Sequence, residues 1–202
     1  GVMTADDAIR TVRERGILMQ EAVPAGVGGM SAVLGMTADE INAVVDEIPN
    51  VQVANYNCPG QIVISGLKEA VETAAVKLKE AGARRVITLN VSGPFHSYLL
   101  EEAGEKLGRF LENIPVSEPV IPYVANVTAA YVTKAEDVKP LLTRQVSSSV
   151  RWQQSVETML VDGVDRFIEI GPGKTLAGFI RKINREATVI NIEKFEDLEK
   201  LN

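Results

Sequence analysis

The first apolar pattern along the chain has the period of a helix. Thr4 precedes two aspartates, as the cap at a helix N-terminus does. Apolar or small residues then recur one helical turn apart, at Ile9, Val12, Gly16 and Met19. This pattern predicts a helix from residue 4 to about residue 22, which Pro24 and Gly26 end.

Between residues 29 and 89, apolar runs of strand length alternate with helical patterns. The predicted elements are a strand at 29–36, a helix after Thr37, strands at 51–58 and 61–65, a helix at 67–81 and a strand at 85–89. This βαββαβ order is that of a ferredoxin-like unit. Because such a unit forms its own sheet, we predict an inserted subdomain at residues 27–90.

From residue 91 onward, strand patterns alternate with longer helical ones. Helices are predicted at 96–113, 134–149, 150–162 and 174–184, and strands at 120–125, 166–170 and 187–192. Alternating strands and helices are typical of a parallel sheet that helices cover on both faces. The predicted fold class is therefore α/β, with one core formed by residues 1–26 and 91–202 around the insert.

Composition narrows the functions that this fold can have. The 202 residues carry a net charge of −6, which argues against a general nucleic-acid binder. No apolar run approaches the roughly 18 residues that span a bilayer, so we expect no membrane segment. One cysteine excludes an internal disulfide and fits a reducing compartment. With one histidine as well, and no HExxH pattern, a metal site is not expected.

The single histidine and one arginine are the first candidates for chemistry. His96 follows Gly93-Pro94 at a predicted loop-to-helix junction, where a side chain can face a cleft. It is either a general base or a surface or cap histidine. Arg15 lies near the edge of the apolar stripe of the first helix. It either forms an ion pair with Glu14 or with a neighbouring element, or it binds a substrate carboxylate through two parallel hydrogen bonds.

Two asparagines form a further candidate group beside the Pro59-Gly60 turn. Asn55 and Asn57 alternate along one face of a predicted strand. They are either hydrogen-bond donors to a ligand or part of the turn, since asparagine often bonds nearby backbone.

The chain lacks a recognisable nucleophile. No serine lies in a Gly-x-Ser-x-Gly elbow. Cys58 ends a predicted strand with no evident cation or helix N-terminus to activate its thiol, so we interpret it as structural. The Gly171–Thr175 turn is not a phosphate loop, because Ile168 stands where that motif needs glycine. It is a strand-to-helix turn that binds an anion weakly at most.

Several segments, in order along the whole chain, resemble the malonyl-CoA:acyl-carrier-protein transacylases of fatty acid synthesis and the related acyltransferase domains of polyketide synthases. The family's fold is an α/β-hydrolase-like core with a ferredoxin-like insert. The segments that carry the resemblance are Arg13–Gln20, Asn55–Gly66, Val91–Ser97, Pro122–Thr128, Arg144-Gln145, Val150–Trp152 and Glu169–Lys174.

The resemblance implies a role for each candidate residue. His96 corresponds to the catalytic histidine that activates a serine, and Gln145 to the residue whose backbone carbonyl orients that imidazole, as an aspartate does in a Ser-His-Asp triad. Arg15 corresponds to the arginine that holds the malonyl carboxylate. Phe95 is expected to crowd an α-methyl branch and so to disfavour methylmalonyl groups. The segment with Asn55 and Asn57 borders the substrate site.

The implied activity moves a malonyl group from malonyl-CoA to the phosphopantetheine thiol of acyl carrier protein through a serine acyl-enzyme. It needs no metal or redox cofactor and belongs to the cytoplasm. The family's Gly-His-Ser-Leu-Gly loop, which carries that serine, has no counterpart among the 202 residues. We therefore expect the C-terminal two-thirds of such an enzyme, inactive without the missing N-terminal segment. A polyketide synthase-type acyltransferase domain and a non-catalytic binding module derived from this fold remain alternatives.

Overall fold

The computed structural model describes residues 1–201 and shows a mixed α/β protein. Its α-helices are α1 (Ala5–Ala22), α2 (Ala38–Val45), α3 (Lys68–Glu80), α4 (Glu101–Glu112), α5 (Ala135–Gln145), α6 (Trp152–Val161) and α7 (Thr175–Ile183). Its strands are β1 (Gly28–Leu34), β2 (Val51–Cys58), β3 (Gln61–Leu67), β4 (Arg85–Thr88), β5 (Tyr123–Ala125), β6 (Ala130–Val132), β7 (Arg166–Ile170) and β8 (Thr188–Ile192). Short 3₁₀ segments lie at Tyr98–Leu100 and Phe195–Leu201.

The strands β1 to β4 form one antiparallel sheet in the order β2-β3-β1-β4. Helices α2 and α3 cover one face, where strand residues such as Val33 and Ile64 pack against Ile41 of α2 and Leu78 of α3. The start of α2 is fixed locally, because Thr37 and Glu40 form the reciprocal hydrogen bonds of a capping box. Elements from β1 to β4 follow the order that the apolar pattern predicts.

The opposite face of this sheet carries apolar residues that alternate, along each strand, with the residues of the first core. Met30, Ala32, Ala54 and Val63 form a second cluster, against which Leu89 and Phe95 pack. Because successive strand residues point to opposite faces, one strand supplies both the packed core and this second surface. Through this contact, Phe95 packs the loop that carries His96 against the sheet.

Helices α1 and α5 both pack against α4, beside the sheet. Leu107 and Leu111 of α4 are fully buried, and Leu18 and Met19 of α1 pack against them. Helix α5 comes unusually close to α4, since a Cβ at Gly104 would lie 2.9 Å from the carbonyl oxygen of Thr143. This close approach places the last turn of α5, which ends at Gln145, directly beside α4.

The face that α1 buries differs from the predicted one. Ile9 and Val12 are 67% and 70% exposed, whereas Asp7 and Thr11 are buried. Asp7 tolerates burial because Arg10 donates a 2.9 Å hydrogen bond to its carboxylate and Thr4 donates another. The apolar stripe correctly indicated a helix, but the first half of that stripe does not face the core of the described residues.

The C-terminal part contains a parallel pair, β7 and β8, as predicted. On one face Phe167 packs against Val156 of α6 and Ile180 of α7. The prediction that helices cover both faces is wrong for the described residues, because Ile170 is 81% exposed. No helix within residues 1–201 combines the length and hydropathy needed to cross a membrane.

Three element boundaries also differ from prediction. The helix expected at 96–113 begins as a 3₁₀ turn at Tyr98, because His96 adopts a positive φ of 55° that a helix cannot contain. The strand expected at 120–125 is shorter, and β6, which pairs with it, was not predicted. The helix expected at 134–149 ends at Gln145.

We predict that Gly104→Ala destabilises the protein by about 1–2 kcal/mol, because overpacking against the α5 backbone outweighs the better helix propensity of alanine. Urea unfolding monitored by circular dichroism measures this change. Gly178→Ala is the matched control. Gly178 is also helical but has no heavy atom near an added Cβ, so the substitution should stabilise by about 0.5–1 kcal/mol. Equal gains from both substitutions would contradict the close approach.

Candidate active site

His96 lies in a loop that the surrounding structure holds in an unfavourable conformation. Its φ of 55° falls in the left-handed region, which residues other than glycine rarely adopt. The buried Ser97 hydroxyl donates a 2.7 Å hydrogen bond to the carbonyl oxygen of Pro94. The Pro94 ring in turn packs so closely on Gly28 that a Cβ there would lie 2.4 Å from it. The loop is therefore anchored on both sides of His96.

The imidazole of His96 is oriented by the end of helix α5. Its Nδ1 lies 3.1 Å from the backbone carbonyl oxygen of Gln145. Carbonyl oxygens in the last turn of a helix have no partner within the helix, so this one is free to accept. Because a carbonyl only accepts, Nδ1 of the neutral ring carries the hydrogen and donates it. Nε2 is then left with the lone pair that a general base requires.

Burial and charge both favour the neutral form of this imidazole. Desolvation lowers the pKa of His96 below its ordinary value of 6.5, and the positive charge of Arg15 lowers the pKa further. The hydrogen bond to the carbonyl of Gln145 raises that pKa and opposes part of the shift. At neutral pH, His96 is therefore ready to accept a proton.

A cavity of about 520 Å³ lies between α1 and the sheet, and it brings most of the candidate residues together. Arg15, Asn55, Phe95 and His96 all line it. Its remaining walls are mostly apolar and come from α1, the sheet and the segment after β4. These wall residues are Gly16, Met19, Gln20, Met30, Val63, Leu89 and Val91.

Arg15 is the cation of this cavity. Burial lowers its pKa below the ordinary value of an arginine. The ion pairs found among residues 1–201 do not involve Arg15, so the predicted alternative of an ion pair with Glu14 or a neighbouring element is wrong. A half-buried guanidinium without an internal counter-ion is suited to an anionic ligand.

Of the other residues predicted as candidates, one contacts the site and the rest lie outside it. Gln145 contacts the site through its carbonyl, whereas Asn57 is not among the residues that line the cavity. Cys58 is fully buried, and desolvation raises the pKa of its thiol, which agrees with a structural role. At the Gly171–Thr175 turn, the carboxylate of Glu169 already accepts hydrogen bonds from the first turn of α7, so no anion is needed there.

Some cavity residues were not predicted individually. Met19 follows Arg15 by four positions in a helix, and this spacing places both on one face. The small and apolar residues of the sheet gave no such signal, since strand patterns do not show which face meets a ligand. In residues 1–201, no cluster of histidine, cysteine or carboxylate side chains could hold a metal ion.

A histidine base oriented by an acceptor behind its ring is the arrangement of acyl-transfer enzymes that activate a nucleophile, and here the same cavity also presents a cation. Comparison with known proteins agrees with this class. Residues 1–196 match the acyl transferase domain family, and the chain belongs to that family.

Its relatives are more specific. The chain is 45% identical over 203 residues to a malonyl CoA-acyl carrier protein transacylase of Bacillus subtilis, covering 98% of this chain and 64% of that protein. It is 40% identical over 205 residues to the protein of the same name from Staphylococcus aureus, covering 100% and 67%. The chain thus spans about two thirds of the length of these curated relatives.

Solved structures give the same picture. An acyl carrier protein S-malonyltransferase from Vibrio cholerae superimposes with a TM-score of 0.97 at 39% identity, covering 100% of this chain and 67% of that one. A malonyl-transacylase solved in complex with a type II polyketide synthase acyl-carrier protein gives a TM-score of 0.96 at 39% identity, covering 99% and 66%.

We predict that the single histidine titrates below pH 6.5 and that Arg15→Met raises the pKa of His96, because it removes a nearby positive charge. Arg15→Lys keeps the charge and should leave the pKa closer to that of the wild type. An NMR titration of the imidazole Hε1 signal measures all three values. Identical titrations of Arg15→Met and wild type would show that the two groups are not coupled.

Proposed function

We propose that this chain supplies the general base and the carboxylate-binding group of a malonyl-CoA:acyl-carrier-protein transacylase. The observation that carries the proposal is the placement of His96 and Arg15 in one cavity, with Arg15 free of any ion pair within residues 1–201. The names of the relatives at 40% identity and above support the same substrate.

In the proposed reaction, Nε2 of His96 takes the proton of a serine hydroxyl as its oxygen attacks the thioester carbonyl of malonyl-CoA. The tetrahedral intermediate collapses, the C–S bond breaks and the imidazolium returns the proton to the CoA thiolate. The phosphopantetheine thiol of acyl carrier protein then gives its proton to Nε2 and attacks the malonyl-serine ester. Collapse of the second intermediate transfers the proton to the serine oxygen and releases malonyl-carrier protein.

The serine of this proposal lies outside the 202 residues. They contain no Gly-x-Ser-x-Gly elbow, and the alternative nucleophile, Cys58, is buried away from the cavity. We propose that another part of the enzyme brings the serine and most of the oxyanion-hole donors to the open side of the site. His96 supplies proton transfer to both half-reactions from its fixed position.

Substrate selection is assigned to the cavity walls. Arg15 binds the free carboxylate of the malonyl group, because a guanidinium matches a carboxylate with two parallel hydrogen bonds. Phe95 lies beside His96 and would crowd a methyl branch at the α-carbon. Asn55 lines the cavity and is proposed to bond the acyl group or its thioester, whereas Asn57 lies outside the cavity lining.

The architecture proposed for the enzyme assigns residues 27–90 to a ferredoxin-like insert and residues 1–26 and 91–202 to an α/β-hydrolase-like core. The antiparallel order β2-β3-β1-β4 with two covering helices supports the first assignment. The parallel pair β7–β8 with α6 and α7 supports the second. The cavity lies where residues of both parts meet.

The proposed partners are malonyl-CoA and acyl carrier protein, with the segment that carries the serine as a third. The complex of a malonyl-transacylase relative with its carrier protein supports the second of these. The reaction written above uses no metal or redox cofactor and takes place among cytoplasmic metabolites. Neither nucleic acid nor a membrane has a part in it.

We predict that the chain binds malonyl-CoA and that Arg15→Met weakens this binding roughly tenfold to a hundredfold, because a hydrogen bond to a charged group contributes about 1.5–3 kcal/mol. Isothermal titration calorimetry measures both affinities. Acetyl-CoA, which lacks the carboxylate, is the control ligand and should bind wild type and variant alike. Equal losses for both ligands would remove Arg15 from its assigned role.

We also predict that the isolated 202-residue chain does not transfer malonyl groups, because its base has no serine to activate. On incubation with radiolabelled malonyl-CoA and carrier protein bearing phosphopantetheine, the chain should stay unlabelled. The carrier protein should carry no more label than in a mixture without the chain. Labelling that His96→Ala abolishes would place the nucleophile within these residues.

A further inference from the structure

The side chain of Gln52 bonds three backbone groups around His96. Its Nε2 donates to the carbonyl oxygen of His96 at 3.2 Å and to that of Ser147 at 3.4 Å. Its Oε1 accepts a hydrogen bond from the N–H of Tyr98 at 3.0 Å. These partners lie 44 to 95 positions away in the chain, so one carboxamide joins three distant points.

The three points belong to the two segments that must meet for the base to be oriented. His96 and Tyr98 are in the loop that presents the imidazole, and Ser147 lies two residues after Gln145, whose carbonyl holds Nδ1. Movement of either segment would lengthen the 3.1 Å bond between His96 and Gln145. A rigid carboxamide that donates to one segment and both donates to and accepts from the other resists such movement.

Residues next to Gln52 in the chain contact the same two segments. The Tyr98 hydroxyl donates to Asn50, and the Ser149 hydroxyl donates to the carbonyl of Val53. These contacts lie on either side of Gln52. Of the side chains of β2, Gln52 is the one bonded to both segments at once.

We infer that Gln52 is a positioning residue: it holds the His96 loop and the turn after α5 together, and so keeps the Nε2 lone pair of His96 directed at the cavity. The inference rests on the proposed function for its catalytic meaning. Gln52 does not touch the imidazole or line the cavity, so its effect passes entirely through the backbone.

The consequence can be observed without any turnover. His96 is the only histidine, so its ring nitrogens give one unambiguous pair of ¹⁵N signals. In the wild type above the pKa of His96, Nδ1 should give the signal of a protonated nitrogen and Nε2 that of an unprotonated one. Gln52→Met has a side chain of similar length but no hydrogen-bonding amide. We expect it to lose this pattern and to show exchange between the two tautomers.

A matched control and a second variant make the test decisive. Gln153→Met makes the same chemical change at a glutamine of α6 whose exposed hydrogen bond goes to Glu157, and it should keep the wild-type tautomer. Gln52→Glu keeps an acceptor for the Tyr98 N–H but at neutral pH has no donor for the two carbonyls. It should lose the pattern as Gln52→Met does, and it carries the test if Gln52→Met does not fold.

The inference is overturned if either folded Gln52 variant keeps the wild-type tautomer, even with a lower melting temperature, since Gln52 would then serve stability alone. Failure of the proposed function is separate. Absence of a malonyl-CoA preference would remove the substrate assignment, while loss of the tautomer in the Gln52 variants would still establish the positioning role.

Discussion

The hydrogen bond from Nδ1 of His96 to the carbonyl of Gln145 is the contact that the rest of the site depends on. It requires a loop in which His96 accepts a left-handed backbone, and a helix that ends where its last carbonyls are free. It also requires α5 to lie close enough to α4, which the missing side chain at Gly104 permits. The orientation of the His96 imidazole in the cavity thus depends on helix packing outside the cavity.

The use of a neutral carbonyl, rather than a carboxylate, has an electrostatic consequence. A carboxylate behind the imidazole would attract Arg15, which lies in the same cavity and is coupled to His96 by charge. Arg15 would then be engaged by the protein itself instead of by an acidic acyl group. A carbonyl also orients the ring, and it leaves the guanidinium without an ion pair within residues 1–201. Under the proposed function, the use of a carbonyl as the orienting group and the acidity of the substrate are therefore linked.

The sequence pattern predicted the elements between residues 29 and 89 well, because caps such as Thr37 and turns such as Pro59-Gly60 act locally. It placed α1 correctly but not the face that α1 buries, since periodicity shows that a helix is amphipathic and not what it packs against.

In the site, His96 and Arg15 were visible as residue types in suitable positions. The part played by Gln145 came only from family resemblance, because a backbone carbonyl leaves no trace in residue identity. Gln52 was not predicted at all, since each of its partners is distant in the chain.

Under the proposed function, binding of malonyl-CoA should itself raise the pKa of His96. In the empty cavity, the charge of Arg15 adds to desolvation in lowering the pKa of His96. A malonyl carboxylate bound to Arg15 would neutralise that charge and so remove this contribution. The pKa of His96 would then rise toward the range in which an imidazole accepts a proton most effectively near neutral pH. An acyl group without a carboxylate would leave Arg15 uncompensated and the imidazole less basic. Under the proposed function, Arg15 would favour an acidic acyl group twice, first by binding its carboxylate and then through the proton affinity of His96.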